Sequence, residues 1–293
     1  MKSRNPRPTV AFVTYSGQPQ LYAEEAELPA LLAARGVQAE PVIWSDPSVD
    51  WKRFDAVVIR STWDYFERFD EFRPWIDRME SLGIPLFNSA ALVRWNFDKR
   101  YLRELETRGI RILPTVFLEP NTRADLAEIL SAHDWTHAVI KPAVSGGAYR
   151  THRLEASEAG VYQPHLETIL ESCGALVQPF FPEIVSEGEW SLVFFDGAFS
   201  HAVLKVPAPA EYRIQPHFGG RAEHVEPEPW MLGQAREVLA ALPEAPAYAR
   251  IDGLRRGREF FLMEAELIEP YLFLATAPGA SARYVDLVAN LAR

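Results

Sequence analysis

The feature that most constrains this chain is a change of rhythm along it. Up to about residue 90, short apolar runs alternate with helical periodicity: TVAFVT (9–14) ends in Tyr15-Ser16-Gly17, and a helical pattern then closes at Arg35-Gly36. A second run, FDAVVIR (54–60), precedes a helix with Phe72, Ile76 and Met79 on one face that stops at Gly83. Strands alternating with helices predict a parallel sheet. Ligands of such sheets bind beyond the carboxyl ends of the strands, which here carry Tyr15-Ser16 and Arg60-Ser61-Thr62-Trp63-Asp64. From His137 onward apolar runs follow one another instead: HAVIKP, ALVQPFF and GEWSLVFFDGAFSHAVLKV, then AYARIDG and EFFLMEAELI. Asp196-Gly197 between two of them is a hairpin turn signal.

The predicted fold class is therefore α/β and α+β. An N-terminal parallel-sheet lobe over 1–90 precedes two lobes rich in antiparallel strands, a central one over 91–181 and a C-terminal one over 182–293. Between the rhythms, Asn96 reads as the N-cap of a helix carrying Phe97, Tyr101, Leu102 and Leu105 and stopping at Gly109, with Lys99 in its first turn.

Composition excludes several classes. Forty acidic against 30 basic side chains give a net charge of -10, which opposes binding to a polyanion, so nucleic acid is not an expected partner. Cys173 stands alone, which rules out an intramolecular disulfide and reads as a buried core thiol. The basic start is followed by an apolar run too short for a signal peptide, and no segment approaches the roughly 20 apolar residues that span a bilayer. The cytoplasm is the expected compartment, with no membrane partner. His133 and His137 flank Trp135 just before a strand, a poor setting for a zinc pair, and Walker, dinucleotide and nucleophile-elbow motifs are absent.

Three groups of residues could carry chemistry. Lys141 interrupts the strand 138–140 and leads into Pro142 and the small-residue loop Ser145, Gly146, Gly147, Ala148, where backbone N–H groups could approach a phosphate. Lys99 at a helix N-terminus would be stabilised by an anion there, although a solvated lysine fits as well. Asp252, Glu264 and Glu266 fall on two arms of one hairpin, with Glu264 and Glu266 on one strand face. A loop centred on Arg258 puts Asp252 opposite Glu264. Carboxylates crowded on an apolar sheet would repel one another, which a divalent cation such as Mg²⁺ would relieve; an exposed edge face with Ala265 and Leu267 buried is the alternative. Lys205 and Arg213 are two further cations, each also explicable as a snorkelling surface residue.

Read in order as DK, IKP, SGGA, QPFFPEI, GEWSL, LKV, R, FGGR, D and E-x-E, these pieces resemble the ATP-grasp superfamily, and most closely the ATP-binding region of prokaryotic glutathione synthetase, from about Asn96 to Pro270. With RSTWDY and MEAELIEPYLFL included, the whole chain is similar to the group containing the ATP-grasp ligase that closes the cycloserine ring. The resemblance implies that Lys99 and Lys141 hold the α- and β-phosphates of ATP under a flap formed by Ser145, Gly146, Gly147 and Ala148. It also implies that Gln178, Phe180 and Phe181 line the adenine pocket and Glu189 reaches the ribose. Lys205 and Arg213 would face the γ-phosphate and an acyl phosphate, and Asp252, Glu264 and Glu266 would ligate Mg²⁺. Glu264-x-Glu266 stands where glutathione synthetase has acid-x-Asn, and Trp190-Ser191 stand where it has a basic residue, so glutathione synthesis is not the expected reaction.

The expected activity is an ATP-dependent ligase that activates a carboxylate as an acyl phosphate for attack by an amine, intramolecular ring closure included, with release of ADP and phosphate. A small-molecule kinase on the same scaffold and a non-catalytic ATP-binding regulator are the rivals. The substrate is expected to be a small amino-acid-like molecule, met by Arg60 on its carboxylate, Asp64 on its ammonium and Trp63 as a wall; the alternative for Arg60 is a neighbouring acid, and for Trp63 the core. Oligomeric state is not set by the sequence, a homodimer being one option.

Overall fold

The computed structural model describes residues 7–208, 211 and 219–293. Arg213 lies outside the described residues.

The first lobe is β1 (Thr9–Thr14), α1 (Leu28–Ala34), β2 (Gln38–Ile43), β3 (Ala56–Ile59), α2 (Phe69–Ser81) and β4 (Leu86–Phe87), with a parallel sheet in the order β2-β1-β3-β4. β1 and β3 read as unbroken apolar runs because both of their faces are covered. α2 buries Phe72, Trp75, Ile76 and Met79, one stripe at helical spacing.

Two short helices, α3 (Ala90–Asn96) and α4 (Tyr101–Thr107), lead out of this lobe. Asn96 is not an N-cap. It ends α3, and its amide bridges the Ala265 carbonyl and the Leu267 N–H, 2.8 and 3.0 Å away. Ser89 caps α3 instead, and Asp98 accepts the Arg100 N–H at 2.9 Å ahead of α4. Lys99 thus sits between the helices, its N–H donated to the Ala143 carbonyl at 2.8 Å.

The central lobe carries β5 (Val116–Leu118), α5 (Leu126–Ala132), β6 (His137–Pro142), β7 (His152–Glu155), α6 (Ala159–Ser172) and β8 (Ala175–Pro179), its strands antiparallel in the order β5-β8-β6-β7. Its core, built from Leu126, Ile140, Leu154, Leu166, Ile169 and Val177 among others, lies wholly within residues 126–177. Cys173 is half-buried against that core rather than inside it.

After α7 (Glu183–Ser186) come β9 (Glu189–Phe195), β10 (Ala198–Val206), β11 (Arg221–Val225), α8 (Pro229–Ala240), β12 (Tyr248–Arg256), β13 (Glu259–Glu266) and α9 (Ala280–Leu291). The strands form an antiparallel sheet in the order β11-β10-β9-β12-β13. The β9–β10 turn has φ of 48° at Asp196 and 71° at Gly197, the paired positive values of a tight hairpin. α9 turns back to the first lobe, where Tyr284, Val285 and Val288 share a core with Val10, Phe12, Leu28 and Leu32 and with Val193 and Tyr248 of the last sheet.

Candidate active site

The three lobes converge on the β12–β13 hairpin. Arg256 pairs with Glu259 and Gly253 with Leu262, the register of a two-residue Gly257-Arg258 turn. A bulge then passes over Met263, so Asp252 faces Glu264. Without that extra residue Asp252 would face Met263, and Glu264 would point the other way. Gly253 permits the bulge: a Cβ there would run into the Phe261 carbonyl oxygen and the Phe260 ring.

The face is not otherwise apolar, as the sequence had suggested, because cations from three elements neutralise it. Asp252 Oδ1 accepts Ser191 Oγ at 2.5 Å and Arg250 Nε at 3.0 Å, while its Oδ2 accepts Arg250 Nη2 at 2.8 Å and Lys205 Nζ at 3.2 Å. Burial works to raise the pKa of Asp252, but Arg250 and Lys205 outweigh it and hold the group down at about 2. Arg250 also reaches Glu266, and Lys205 pairs with Glu189 at 2.5 Å. Burial pushes Glu266 up to about 7 despite Arg250, since Asp252 and Glu264 stand nearby. Lys99 meets Glu264 at 3.0 Å and donates to the Ser145 carbonyl. Among the described residues no three carboxylate, imidazole or thiolate groups are placed together to hold a metal ion. Glu264 and Glu266 keep 28% of their side chains open, whereas Asp252 keeps 4%.

Arg250 was not singled out from the sequence. Its signal was present, since it stands two residues before Asp252 on the same strand face.

Lys141, in β6, is the cation left over. Its ammonium has no hydrogen bond or ion pair among the described residues, and burial, with Lys99 beside it, holds its pKa below the usual lysine value while Glu264 and Glu189 work the other way. An ammonium in that position calls for an anion. The loop that follows supplies backbone at close quarters: Ser145 Oγ donates to the Pro142 carbonyl, and Gly147 and Ala148 take positive φ of 57° and 62°. Gly146 lies against Phe66 of the first lobe, where an added Cβ would stand 3.0 Å from the ring. Phe66 and Tyr149 meet at 5.1 Å between ring centroids.

The other residues expected at the nucleotide lie on β8, on β9 and in the segment between them. Gln178 is buried and spends its amide on Thr115 Oγ1 at 2.8 Å, which turns it into the β5–β8 pair. Phe180 lies under the Arg153 guanidinium, 3.8 Å from ring centroid to Cζ, and Phe181 packs beside Phe261 and Arg256. Glu189 is committed to Lys205, and burial raises its pKa.

The first-lobe expectations fare unequally. Arg60 is fully buried, held by Glu25, the Pro270 carbonyl and the Tyr284 ring, so its guanidinium has a protein acid in the role expected for substrate. Asp64 accepts Trp44 Nε1 at 2.8 Å and Arg68 Nη1 at 3.3 Å, partners from its own lobe. Trp63 is half-buried, against the rings of Tyr22 at 4.7 Å and Tyr271 at 6.5 Å, and its indole N–H reaches the Glu269 carbonyl at 3.4 Å. Next to it the hydroxyls of Tyr22, Ser61 and Thr62 are buried with no hydrogen-bond partner among the described residues. Unpaired hydroxyls cost free energy unless water or a ligand meets them.

A parallel-sheet lobe followed by two antiparallel-sheet lobes, with lysines of the central region facing carboxylates of the last hairpin, defines an ATP-grasp ligase, an enzyme that couples ligation to ATP. Solved structures agree: the crystal structure of D-cycloserine synthetase DcsG superposes with a TM-score of 0.87 at 28% identity, covering 97% of this chain and 100% of that one. D-alanine–D-alanine ligase from Bacillus anthracis, at 15% identity and a TM-score of 0.68 over 97% of each chain, shares the fold. Residues 10–88 match the family described as D-cycloserine synthetase DcsG, N-terminal domain. The cycloserine biosynthesis protein DcsG of Streptomyces lavendulae is 31% identical over 283 residues, 90% of this chain and 93% of that protein. The chain belongs to the DcsG family. No helix among the described residues is long and apolar enough to cross a membrane.

Proposed function

We propose that this enzyme phosphorylates the carboxylate of a small amino-acid-like molecule and closes an amide within that same molecule, making a ring of the cycloserine kind. The observation that carries the reading is Lys141, whose ammonium has no partner among the described residues, beside the Lys99–Glu264 pair, with the Lys205–Asp252–Arg250 group on β10 and β12. Such an array suits phosphoryl transfer, in which positioning and charge neutralisation do most of what catalysis requires.

ATP phosphates take Lys141 and draw Lys99 from Glu264, while the backbone at Ser145, Gly146, Gly147 and Ala148 covers them. Gln178, Phe180, Phe181 and Glu189 border the nucleoside. The substrate carboxylate attacks the γ-phosphorus, ADP leaves, and Lys205 and Arg250, with Arg213, offset the charge on the phosphoryl oxygens. The amine nitrogen then attacks the acyl carbon, the C–O bond to phosphate breaks, and the nitrogen loses a proton. The donor set fits magnesium through Glu264 and Glu266, which are partly exposed and each pair through Oε1 alone; Asp252 would join only by exchanging Arg250 or Lys205 for it. Two carboxylates with phosphates and water suffice for Mg²⁺, which when bound neutralises and orients the phosphates. Trp63 and the hydroxyls of Tyr22, Ser61 and Thr62 are the first lobe's contribution to the substrate.

Incubation with Mg·ATP and a panel of D-serine and D-alanine derivatives tests the reading. Equimolar ADP and free phosphate, with a product one water lighter than the substrate, is the expected result. ADP without free phosphate, the phosphate remaining on the substrate, would make the enzyme a kinase instead.

A further inference from the structure

Asp252, Glu264, Glu266 and Glu189 each have a cation within ion-pair distance. Glu269 has none among the described residues. It follows β13 between the buried Ile268 and Pro270 and is itself half-buried, with its carboxylate met by its own backbone N–H. Burial raises its pKa well above the usual carboxylate range, and Glu266 adds to this, while Lys99 works against it from beyond ion-pair distance. An acid so placed is costly unless a cation arrives.

The surroundings say where the cation would come from. The backbone carbonyl of Glu269 holds the Trp63 indole N–H, which ties the residue to the first-lobe strand end. Its Oε1 lies 4.0 Å from the point where a Cβ of Gly146 would stand, so the bare glycine backbone of the flap is what borders the carboxylate on that side. The nearby lysine is already engaged, Lys99 by Glu264. Glu269 therefore sits where the flap, the first lobe and the end of the acidic hairpin meet, an acid with no paired cation among the described residues.

We propose that Glu269 receives the ammonium group of the amino-acid-like substrate, fixing it between Trp63 and the flap. This rests on the ligase reading above and extends it to the choice of substrate. A primary ammonium offers three donors to the two carboxylate oxygens, and a charge-assisted bond of that kind contributes about 1.5–3 kcal/mol, or roughly ten- to a hundredfold in affinity.

The test uses the full chain with ADP and Mg²⁺ present, and titrates matched probes that differ in the amine: D-cycloserine against isoxazolidin-3-one, and D-alanine against propionate. The wild type is expected to favour the amino member of a pair by about tenfold or more. E269Q should erase the preference with AMP-PNP affinity unchanged, and E269D should keep most of it. A preference that survives in E269Q overturns the proposal, as does its absence from the wild type or failure of every probe to bind. A loss of AMP-PNP·Mg²⁺ affinity in E269Q would make Glu269 a metal residue and also overturn it. Wild type that favours the amino probes yet releases no ADP from ATP with any substrate leaves this assignment standing and counts against ring closure.

Discussion

Lys99 and Glu264 neutralise one another at 3.0 Å across the junction between the central lobe and the last hairpin. One is a phosphate ligand and the other a metal ligand in the proposed reaction, so Mg·ATP would part them and take both. The nucleotide-free pair thereby leaves neither of these two charges uncompensated.

Lys141→Met should leave the protein folded and weaken AMP-PNP binding by about 2–3 kcal/mol, because the half-buried position in β6 accepts an apolar side chain while the phosphates lose a charge-assisted donor. Calorimetry beside a thermal melt checks both halves. Unchanged affinity would remove Lys141 from the site.

Glu264→Gln should lower turnover by roughly 10²- to 10³-fold. Nucleotide affinity should fall far less, since the substitution also frees Lys99. Steady-state kinetics at saturating Mg²⁺ decide the matter: retained turnover would make the carboxylate structural.

Arg250→Met should cost about 3–5 kcal/mol of unfolding free energy, because it strands the buried Asp252, and the partly exposed Glu266 beside it, with less opposing charge. Adding Asp252→Asn should recover part of that loss. Urea unfolding of the two variants measures it, and equal stabilities would mean the pair is not coupled.

The pH dependence follows from Glu266, held at about 7 in the folded chain against an ordinary carboxylate value near 4.5 when unfolded. The folded state binds the extra proton between those values, so this group's contribution is fully present below about pH 4.5 and is lost as pH rises through 7. Asp252 acts oppositely, but only as pH falls toward 2. Without nucleotide and Mg²⁺, melting temperature should decline from pH 5 to pH 7.5 less in Glu266→Gln than in the wild type. Parallel declines would place the titration elsewhere.

What could be read in advance tracks how local each signal is. β1 matches TVAFVT because burial on both faces leaves little room for another pattern, and β6 matches HAVIKP residue for residue with Ala138, Ile140 and Pro142 buried on one face. The facing of Asp252 and Glu264 was legible by a route that was partly wrong: the turn holds two residues and not three, and the Met263 bulge restores the pairing. Asn96 resembled a helix cap until its amide was seen to bridge a strand 169 residues away. The Glu25–Arg60 pair lies beyond any local pattern too, since its members meet only after α1 and β2 have folded between them. Nothing in the periodicity could mark Glu269, whose character comes from the cations that do not reach it.

The return of α9 into the first lobe fixes which part of the molecule can swing. Val10, Phe12, Val193, Tyr248, Tyr284 and Val288 belong to one apolar core, so the N-terminal sheet and the last sheet cannot be sheared apart without wetting it. The central lobe has an outer core of its own, from Leu126 to Val177, and meets the last sheet through a smaller apolar contact in which Ala143 and Leu176 pack with Trp190 and Leu192. In the proposed reaction it is the jaw, and the other two lobes, which share the larger core, are the anvil. Because the jaw carries the loop that rests on Phe66, lifting it would uncover the first-lobe strand end together with the proposed phosphate site. Spent nucleotide and finished product would then leave through one opening movement, and a chain tethering the jaw to Phe66 would trap both.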